Sequence, residues 1–186
     1  MRRLTEYNAD RLRLTKEAFL TKHSAPVLLH RWEAPDDDTE YASTTAHISM
    51  IDLPARPDVA RPTEPLAALG ITTKITNAND VVIFPIVKRQ SGGVLQDRIS
   101  VGRNRNADIH LPFRRISKFH AFFTSMQNGA KYFITDAGST NGTFLNGRRL
   151  PAGRSVEVND RALIHFSQFM FVFFMPNAFY SLLIGE

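Results

Sequence analysis

The sequence of 186 residues contains no cysteine, which excludes disulfide bonds, cysteine nucleophiles and thiolate metal sites. It also lacks an uninterrupted apolar run of the roughly eighteen residues that a membrane-spanning helix needs. The most apolar stretch, 162–175, contains three polar residues and ends at Pro176. Met1-Arg2-Arg3 is not followed by an apolar segment, so the N-terminus does not resemble a signal peptide. These absences predict a cytoplasmic protein that does not bind a membrane.

Acidic residues are scarce in the second half of the chain. Residues 1–80 hold ten Lys and Arg against twelve Asp and Glu, a net charge of −2, whereas residues 81–186 hold thirteen against six, a net charge of +7. A basic module favours a negatively charged partner, which a phosphorylated protein, a nucleic acid or an acidic membrane surface would supply. A solvated basic surface gives the same balance, so charge alone does not choose among these interpretations.

Composition divides the chain into four predicted segments. They are a partly helical N-terminal segment (1–34), a Pro-rich and acidic linker with short local structure (35–79), a β-sandwich (80–176) and a short, helical C-terminal tail (177–186). The linker is inferred from five prolines and an acidic run, because proline fixes φ and removes a backbone donor. Thr15 and Asn177 are the predicted N-caps of helices in the first and last segments. Within the linker, 46–53 is a candidate edge strand and 63–70 a candidate helical turn.

The third segment alternates short β-rich stretches with turn signals, a pattern typical of a sandwich. Eight of the ten glycines fall between Gly92 and Gly153, and Ser91-Gly92-Gly93 predicts a hairpin turn. The predicted strands are 81–88, 98–102, 107–111, 120–126, 131–136, 143–145, 155–158, 162–166 and 169–175. The predicted fold class is therefore all-β: a sandwich of about 10–11 strands, preceded by a partly helical, Pro-rich N-terminal extension.

Four loop-type fragments lie between the predicted strands, and together they predict an oxyanion-binding rim. They are Gly102-Arg103, Ser117-Lys118-Phe119-His120-Ala121, the run from Asp136 to Thr143, and Asn146-Gly147. An arginine offers phosphate a planar charged fork, hydroxyls donate short hydrogen bonds, and an asparagine amide both donates and accepts. A rigid sandwich can hold such loops in a fixed relation to one another.

In their order and spacing these fragments resemble the forkhead-associated (FHA) domain, a β-sandwich that reads phosphothreonine. The resemblance covers about 81 to 175, slightly over half of the chain. It includes the Gly-Arg, the Ser-Lys-x-His, the unbroken string Gly-Ser-Thr-Asn-Gly-Thr-x-x-Asn-Gly, and Asp108-Ile109 after the Gly-Arg. One of these fragments alone would carry little information, whereas all of them in order are a specific signal.

The resemblance implies a role for each matching residue. Arg103 would pair with the phosphate or steady the peptide backbone, Ser117 would donate its hydroxyl to a phosphate oxygen, and Lys118 would add positive charge beside it. Thr140 would contact the phosphate or shape the slot for the threonine methyl group, and Asn141 would hydrogen-bond the peptide main chain. Structural roles are implied for Gly102, His120, Gly142, Asn146 and Gly147.

Arg115 lies in the loop that, in the family, helps to select a residue downstream of the phosphothreonine. Together with Arg114 it predicts a preference for an acidic side chain at that position. This specificity role for Arg115 is again an implication of the resemblance.

The function predicted from these residues is binding, without catalysis, a cofactor or a metal. Ser117 and His120 lack a third residue that would orient them as a nucleophile and a base. The glycine-containing string also lacks the arrangement of a nucleotide-binding loop, and the histidines do not show metal-ligand spacing. We expect a signalling adaptor that docks onto a phosphothreonine-containing protein, either a substrate of a Ser/Thr kinase or the kinase itself.

Three other interpretations remain open at this point. The chain would act as a phospho-independent interaction or scaffold module if its N-terminal region and its apolar C-terminal tail held a partner. Nucleic-acid binding is prompted by the basic half, but aromatic and basic residues are not interleaved as in single-strand readers. The site would also bind the chain's own linker if Thr39, Thr44 or Thr45 were phosphorylated, since a tether of this length allows it geometrically.

Overall fold

A computed structural model of the chain describes residues 2–31, 81–89 and 97–185. The candidate edge strand at 46–53, the candidate helical turn at 63–70 and the hairpin turn at 91–93 lie outside these residues. The described residues form twelve strands, three α-helices and a short 3₁₀ turn at Gln127–Gly129. In chain order the strands and α-helices are β1 (Arg2–Arg3), α1 (Leu4–Arg13), α2 (Lys16–Lys22), β2 (Val27–Arg31), β3 (Val81–Pro85), β4 (Ile99–Gly102), β5 (Ile109–His110), β6 (Ala121–Met126), β7 (Lys131–Asp136), β8 (Thr143–Leu145), β9 (Arg148–Arg149), β10 (Ser155–Val158), β11 (Leu163–Phe166), β12 (Phe169–Phe174) and α3 (Pro176–Ile184).

The strands form two sheets, which confirms the predicted all-β sandwich. The seven-stranded sheet has the order β1-β3-β2-β12-β11-β8-β9, and the five-stranded sheet has the order β10-β7-β6-β4-β5. Among the described strands, only β4 and β5 pair in parallel. Predicted and observed bounds agree for β7, β8 and β10, and differ by one or two residues for several others.

The main core lies between the two sheets. Phe123 and Ile134 of the five-stranded sheet pack in one apolar cluster with Phe171 and Phe173 of the seven-stranded sheet, and all four are fully buried. Successive side chains of a strand point to opposite faces, so the alternate residues of β12 point away from this core. The strand is nevertheless apolar throughout, which requires a second layer on its other face.

The three helices form that second layer, on the outer face of the seven-stranded sheet. Tyr7 of α1, Phe19 of α2 and Phe179 of α3 are buried in a second apolar cluster with Val172 and Phe174 of β12. The contacts include an edge-to-face pair of the Tyr7 and Phe179 rings, 5.1 Å apart. The apolar C-terminal tail is thus part of a core. Among the residues that the structure describes, no helix is both long and apolar enough to cross a bilayer.

Strand β2 comes from the N-terminal segment and lies in the middle of the seven-stranded sheet, between β3 and β12. Leu28 faces the main core, whereas Val27 and Leu29 face the helices. The sandwich therefore includes a strand from outside the predicted sandwich segment, 80–176. The sequence does not reveal it, because a short apolar run such as 27–29 has no periodicity that separates a strand from a buried helix.

The two predicted helix caps have different outcomes. The Thr15 hydroxyl accepts a hydrogen bond from the Ala18 backbone N–H at 3.3 Å, so Thr15 caps α2 as predicted. The prediction that Asn177 caps the C-terminal helix is wrong, since Met175 is the N-cap and Pro176 is the first helical residue. Proline suits that first position because its φ is already helical and its missing N–H would have no partner in the helix.

Replacing Leu28 by Ala is expected to lower the free energy of unfolding by about 2–5 kcal/mol, because the truncation leaves a cavity in the main core. Leu28 is fully buried, whereas Leu12 is 75% exposed, so Leu12→Ala serves as a control and should change stability by no more than about 0.5 kcal/mol. Urea denaturation of both variants measures the difference. Equal stabilities would show that β2 is not part of the folded sandwich.

Candidate functional site

Three loops meet at one end of the sandwich, which is referred to here as the loop end. They are the β4–β5 loop (103–108), the β5–β6 loop (111–120) and the β7–β8 loop (137–142). The register brings them together, because Val101 near the end of β4 pairs with Ala121 at the start of β6, and Ala121 pairs with Asp136 at the end of β7. Three of the four sequence fragments therefore lie side by side.

Gly102 allows the first two loops to pack backbone against backbone. A Cβ atom at this position would lie 2.3 Å from the Lys118 carbonyl oxygen, a distance that real Cβ atoms do not adopt. Around it, the Arg103 N–H donates to the Ser117 carbonyl at 2.9 Å and the Asn104 N–H donates to the Lys118 carbonyl at 3.1 Å. Glycine is needed here for close approach, and it fixes the position of the Ser117–Lys118 backbone.

Ser117 and Thr140 lie in contact across the β5–β6 and β7–β8 loops. The Thr140 backbone N–H donates to Ser117 Oγ at 3.1 Å, and the two hydroxyl oxygens are 3.4 Å apart. Ser117 is half-buried and Thr140 is exposed. Because Ser117 Oγ accepts from Thr140, its own proton can be donated outward to a ligand oxygen.

Arg103 and Asn141 are both anchored to the β5–β6 loop. Arg103 Nε donates to the Ile116 carbonyl at 3.1 Å, and Asn141 Nδ2 donates to the Arg115 carbonyl at 2.8 Å. Within the described residues the terminal nitrogens of Arg103 make no hydrogen bond, so they are available to an anion. The Asn141 amide therefore fixes the backbone of the predicted specificity residue, Arg115, in addition to the role implied by the resemblance.

His120 bridges two of the loops and is fully buried. Its Nδ1 accepts from the Ser117 backbone N–H at 3.2 Å, so its Nε2 carries the proton and donates to the Gly142 carbonyl at 3.2 Å. Burial lowers the pKa of His120 more than the Gly142 carbonyl and the Asp136 carboxylate raise it, which keeps the ring neutral. Both ring nitrogens are occupied by backbone groups, so His120 cannot act as a base toward the Ser117 hydroxyl.

Asp136 organises the β7–β8 loop, a role that was not predicted although the residue begins the third sequence fragment. Its carboxylate is buried and accepts from the Gly138 and Ser139 N–H groups at 2.9 Å, and from the Ser139 and Thr143 hydroxyls at 2.6 Å. Burial alone would raise the pKa of Asp136, but these hydrogen bonds outweigh it and hold the pKa below its ordinary value. The spacing Asp-x-x-Ser was the available signal, since such pairs close local turns.

Asp108 plays a similar part below the β4–β5 loop. Its buried carboxylate accepts from the Ser100 N–H at 2.8 Å, the Ser100 hydroxyl at 2.7 Å and the Arg89 N–H at 2.8 Å, and it pairs with Lys88 at 3.0 Å. Burial raises the pKa of Asp108, and the hydrogen bonds more than offset this effect, so its pKa is lowered. Asp108 therefore remains ionised and joins the residues after β3 to β4.

Among the described residues, the exposed charges at the loop end are cationic. None of the following residues forms an ion pair within the part of the chain that the structure describes: Arg103, Arg105, Arg114, Arg115, Lys118, Arg149 and Arg154. Asp108 and Asp136, the carboxylates of these loops, are buried and already hydrogen-bonded. An anionic ligand would meet unpaired cations and hydroxyls here.

The fourth fragment, Asn146-Gly147, lies away from the three loops. Both residues have positive φ, +48° and +77°, and form the two-residue turn that joins β8 to β9. Asn146 also accepts from the Leu163 N–H through Oδ1 at 2.9 Å. Its place in the structure is a hairpin turn, and it does not line the loop end.

These features define a class of protein: a β-sandwich whose loops at one end present hydroxyls and unpaired cations side by side. Residues 99–167 match the family model of the FHA domain. This match confirms, over residues 99–167, the resemblance seen in the motifs. That family is a binding module, and the match does not involve a catalytic family.

Two curated proteins are similar to the same region. The FHA domain-containing protein PS1 of Arabidopsis thaliana is 34% identical over 68 residues, which are 37% of this chain and 5% of that protein. An oxoglutarate dehydrogenase inhibitor of Corynebacterium jeikeium is 39% identical over 64 residues, which are 34% of this chain and 42% of that protein. The matches span less than half of the length of either relative.

Two solved structures are similar over about half of the chain. EmbR of Mycobacterium tuberculosis, in complex with a low-affinity phosphopeptide, is 26% identical, with a TM-score of 0.40 over 50% of this chain and 22% of that chain. The MEK1 FHA domain, in complex with a HOP1 phosphothreonine peptide, is 27% identical, with a TM-score of 0.41 over 50% of this chain and 88% of that chain.

The buried histidine predicts a pH dependence of stability. An unfolded histidine has a pKa of 6.5, whereas the folded pKa of His120 is lower, so between the two values the unfolded state binds more protons. The free energy of unfolding should therefore fall as the pH drops below about 6.5, by up to about 1.4 kcal/mol per pH unit for each such group. The pKa of His165 is also lowered by burial, and it adds to the slope in the same direction.

Urea denaturation between about pH 5 and 7.5 measures this slope. We expect His120→Asn to have a shallower slope than the parent, because one of the two contributing groups is gone. His165→Asn should also have a shallower slope than the parent, because burial lowers the pKa of His165 as well. A slope in His120→Asn as steep as that of the parent would contradict the assignment of a neutral, buried His120.

Proposed function

We propose that this chain is a signalling adaptor that binds a phosphothreonine-containing segment of a partner protein at the loop end of its FHA domain. The observation that carries the proposal is the contact between Ser117 and Thr140, with the charge of Lys118 next to Ser117 and the unpaired end of Arg103 on the adjacent β4–β5 loop. This set offers two hydroxyl donors and two cations to one phosphate group. The partner would be a substrate of a Ser/Thr kinase or the kinase itself.

Reversible binding follows from the size of these interactions. A hydrogen bond to a charged group contributes about 1.5–3 kcal/mol, and ordering an extended peptide offsets part of the sum. We expect a dissociation constant in the micromolar range, which corresponds to about −8 kcal/mol. Removal of the phosphate by a phosphatase would then release the partner, as a signalling switch requires.

Arg103→Ala and Ser117→Ala are each expected to weaken binding of a phosphothreonine peptide by about 10- to 100-fold, because each removes one charge-assisted hydrogen bond. Lys131→Ala is the matched control. Lys131 is an exposed cation at the opposite end of β7 and, among the described residues, pairs with the exposed Glu157. Its loss should have little effect on peptide binding. Isothermal calorimetry with phosphorylated and unphosphorylated forms of one peptide measures all three. Equal binding of the two forms by the parent chain would refute the proposal.

A phospho-independent scaffold role through the C-terminal tail is less well supported. The tail helix α3 buries Phe179 in the second core, where it packs on Tyr7, and Tyr180 packs on Phe19. The N-terminal helices use their apolar faces in the same way. A partner that bound these apolar groups would first have to displace them from the seven-stranded sheet.

The chain's own linker is a second candidate ligand, and the topology favours it. Arg31 at the end of β2 pairs with Val81 at the start of β3. This pair lies at the loop end, because the neighbouring His30 hydrogen-bonds the Met170 carbonyl at 2.7 Å and packs its ring against Phe113 of the β5–β6 loop, 5.6 Å between centroids. The segment 32–80 thus leaves and rejoins the sandwich beside the site.

We therefore expect phosphorylation of Thr39, Thr44 or Thr45 to weaken binding of an external phosphothreonine peptide, because a tethered competitor has a high effective concentration. Fluorescence titration of kinase-treated and untreated chain measures the change. A variant with all three threonines replaced by Ala is the control and should not respond to the kinase. If kinase treatment leaves the affinity of the parent chain for the external peptide unchanged, the linker is not a ligand of the site.

A further inference from the structure

Arg149, which lies outside the four sequence fragments discussed as site residues, occupies a defined position beside the phosphate-binding loops. It is in β9, where it pairs with Phe144, while its neighbour Arg148 pairs with Leu145 next to the hairpin turn. The Leu150 N–H donates to the Thr143 carbonyl at 2.9 Å, so this end of β9 is aligned with the start of β8. Arg149 therefore lies at the loop end.

The Arg149 guanidinium group lies directly over Gly142. A Cβ atom at Gly142 would be 2.7 Å from Arg149 Nε, 3.2 Å from Nη2 and 3.3 Å from Cζ. The absence of a side chain at Gly142, whose φ is +86°, thus leaves the space that the guanidinium group occupies. The arrangement places a planar cation one residue from Asn141 and two from Thr140.

The backbone beneath this cation is fixed on all sides. The Gly142 N–H donates to Ser139 Oγ at 2.9 Å, and its carbonyl accepts from the Ser167 N–H at 2.9 Å and from His120 Nε2 at 3.2 Å. Arg149 is exposed and forms no ion pair within the described residues. Asp136, the carboxylate of this loop, is buried and has four donors of its own. The guanidinium group thus lies against a fixed backbone and has no anionic partner among the described residues.

We propose that Arg149 forms a second anion subsite, which binds a carboxylate or a second phosphate on a residue that flanks the phosphothreonine of the ligand. The inference rests on the proposed function, since it needs a phosphopeptide at Thr140 and Asn141. A guanidinium group suits either anion because its planar fork donates two parallel hydrogen bonds. Two residues of the loop span at most about 7 Å, so the anion would lie within about three peptide residues of the phosphothreonine.

This subsite differs from the one expected at Arg115. Arg115 belongs to the β5–β6 loop, and its carbonyl holds the Asn141 side chain, whereas Arg149 contacts the β7–β8 loop at Gly142 from the edge strand β9. The two arginines would therefore read different positions of the ligand. Loss of one preference should leave the other intact.

The test uses the full chain and a set of phosphothreonine peptides. A parent peptide has alanine at the three positions on each side of the phosphothreonine, and the others carry one Glu or one phosphoserine at each of these positions in turn. Besides the position read by Arg115, we expect one further position at which Glu improves binding by about two- to fivefold. Phosphoserine there should improve it by about tenfold. Arg149→Ala should abolish this gain and bind the all-alanine peptide as the parent chain does.

Arg148→Ala is the matched control, because the adjacent side chain of a strand points to the opposite face. It should keep the full gain, and Arg115→Ala should lose a gain at a different position. If Arg149→Ala keeps the gain, or weakens the all-alanine peptide as strongly as the acidic ones, the subsite is refuted while the proposed function stands. If the parent chain fails to bind the all-alanine phosphopeptide better than its unphosphorylated form, the proposed function falls, and this inference falls with it.

Discussion

The loop end depends on the burial of its two carboxylates beneath a cationic surface. Asp136 holds the β7–β8 loop through four hydrogen bonds, and Asp108 joins β4 to the residues after β3. The donors of its own loop occupy Asp136, and Asp108 pairs with Lys88. Neither carboxylate therefore pairs with the exposed cations Arg103, Arg115 and Lys118. The positive charge of the loops therefore remains available to a ligand. The same acids lower the electrostatic cost of gathering several cations at one end.

Much of the sandwich could be predicted from the sequence, because the strands after residue 97 are short β-rich stretches bounded by turn residues. β7, β8 and β10 have the predicted bounds. β2 could not be predicted, since it is buried on both faces and its short apolar run has no period. The N-cap of α3 was predicted two residues too late, at Asn177. The helix begins instead with Pro176 and has no side-chain cap at Met175.

The loops that form the site could be predicted from the sequence, but the contacts between these loops could not. Local spacing pointed to Ser117, Thr140 and Asn141, and the strand register then brought their loops together. The reason for glycine at 102 is a backbone contact with Lys118, sixteen residues away, and no local pattern encodes it. The position of Arg149 also depends on tertiary structure, because its contact with Gly142 arises from the pairing of β9 with β8.

The central place of β2 has a consequence for how the domain can be dissected. A fragment cut at the border suggested by the motifs, near residue 80, would leave β3 and β12 without the strand that joins them. Two rows of unsatisfied amide and carbonyl groups would then be open to pairing with other molecules, and the outer face of β12, with Val172 and Phe174, would lose its contacts with α1 and α2. Such a fragment would invite aggregation, so the N-terminal thirty residues belong to the smallest unit that folds.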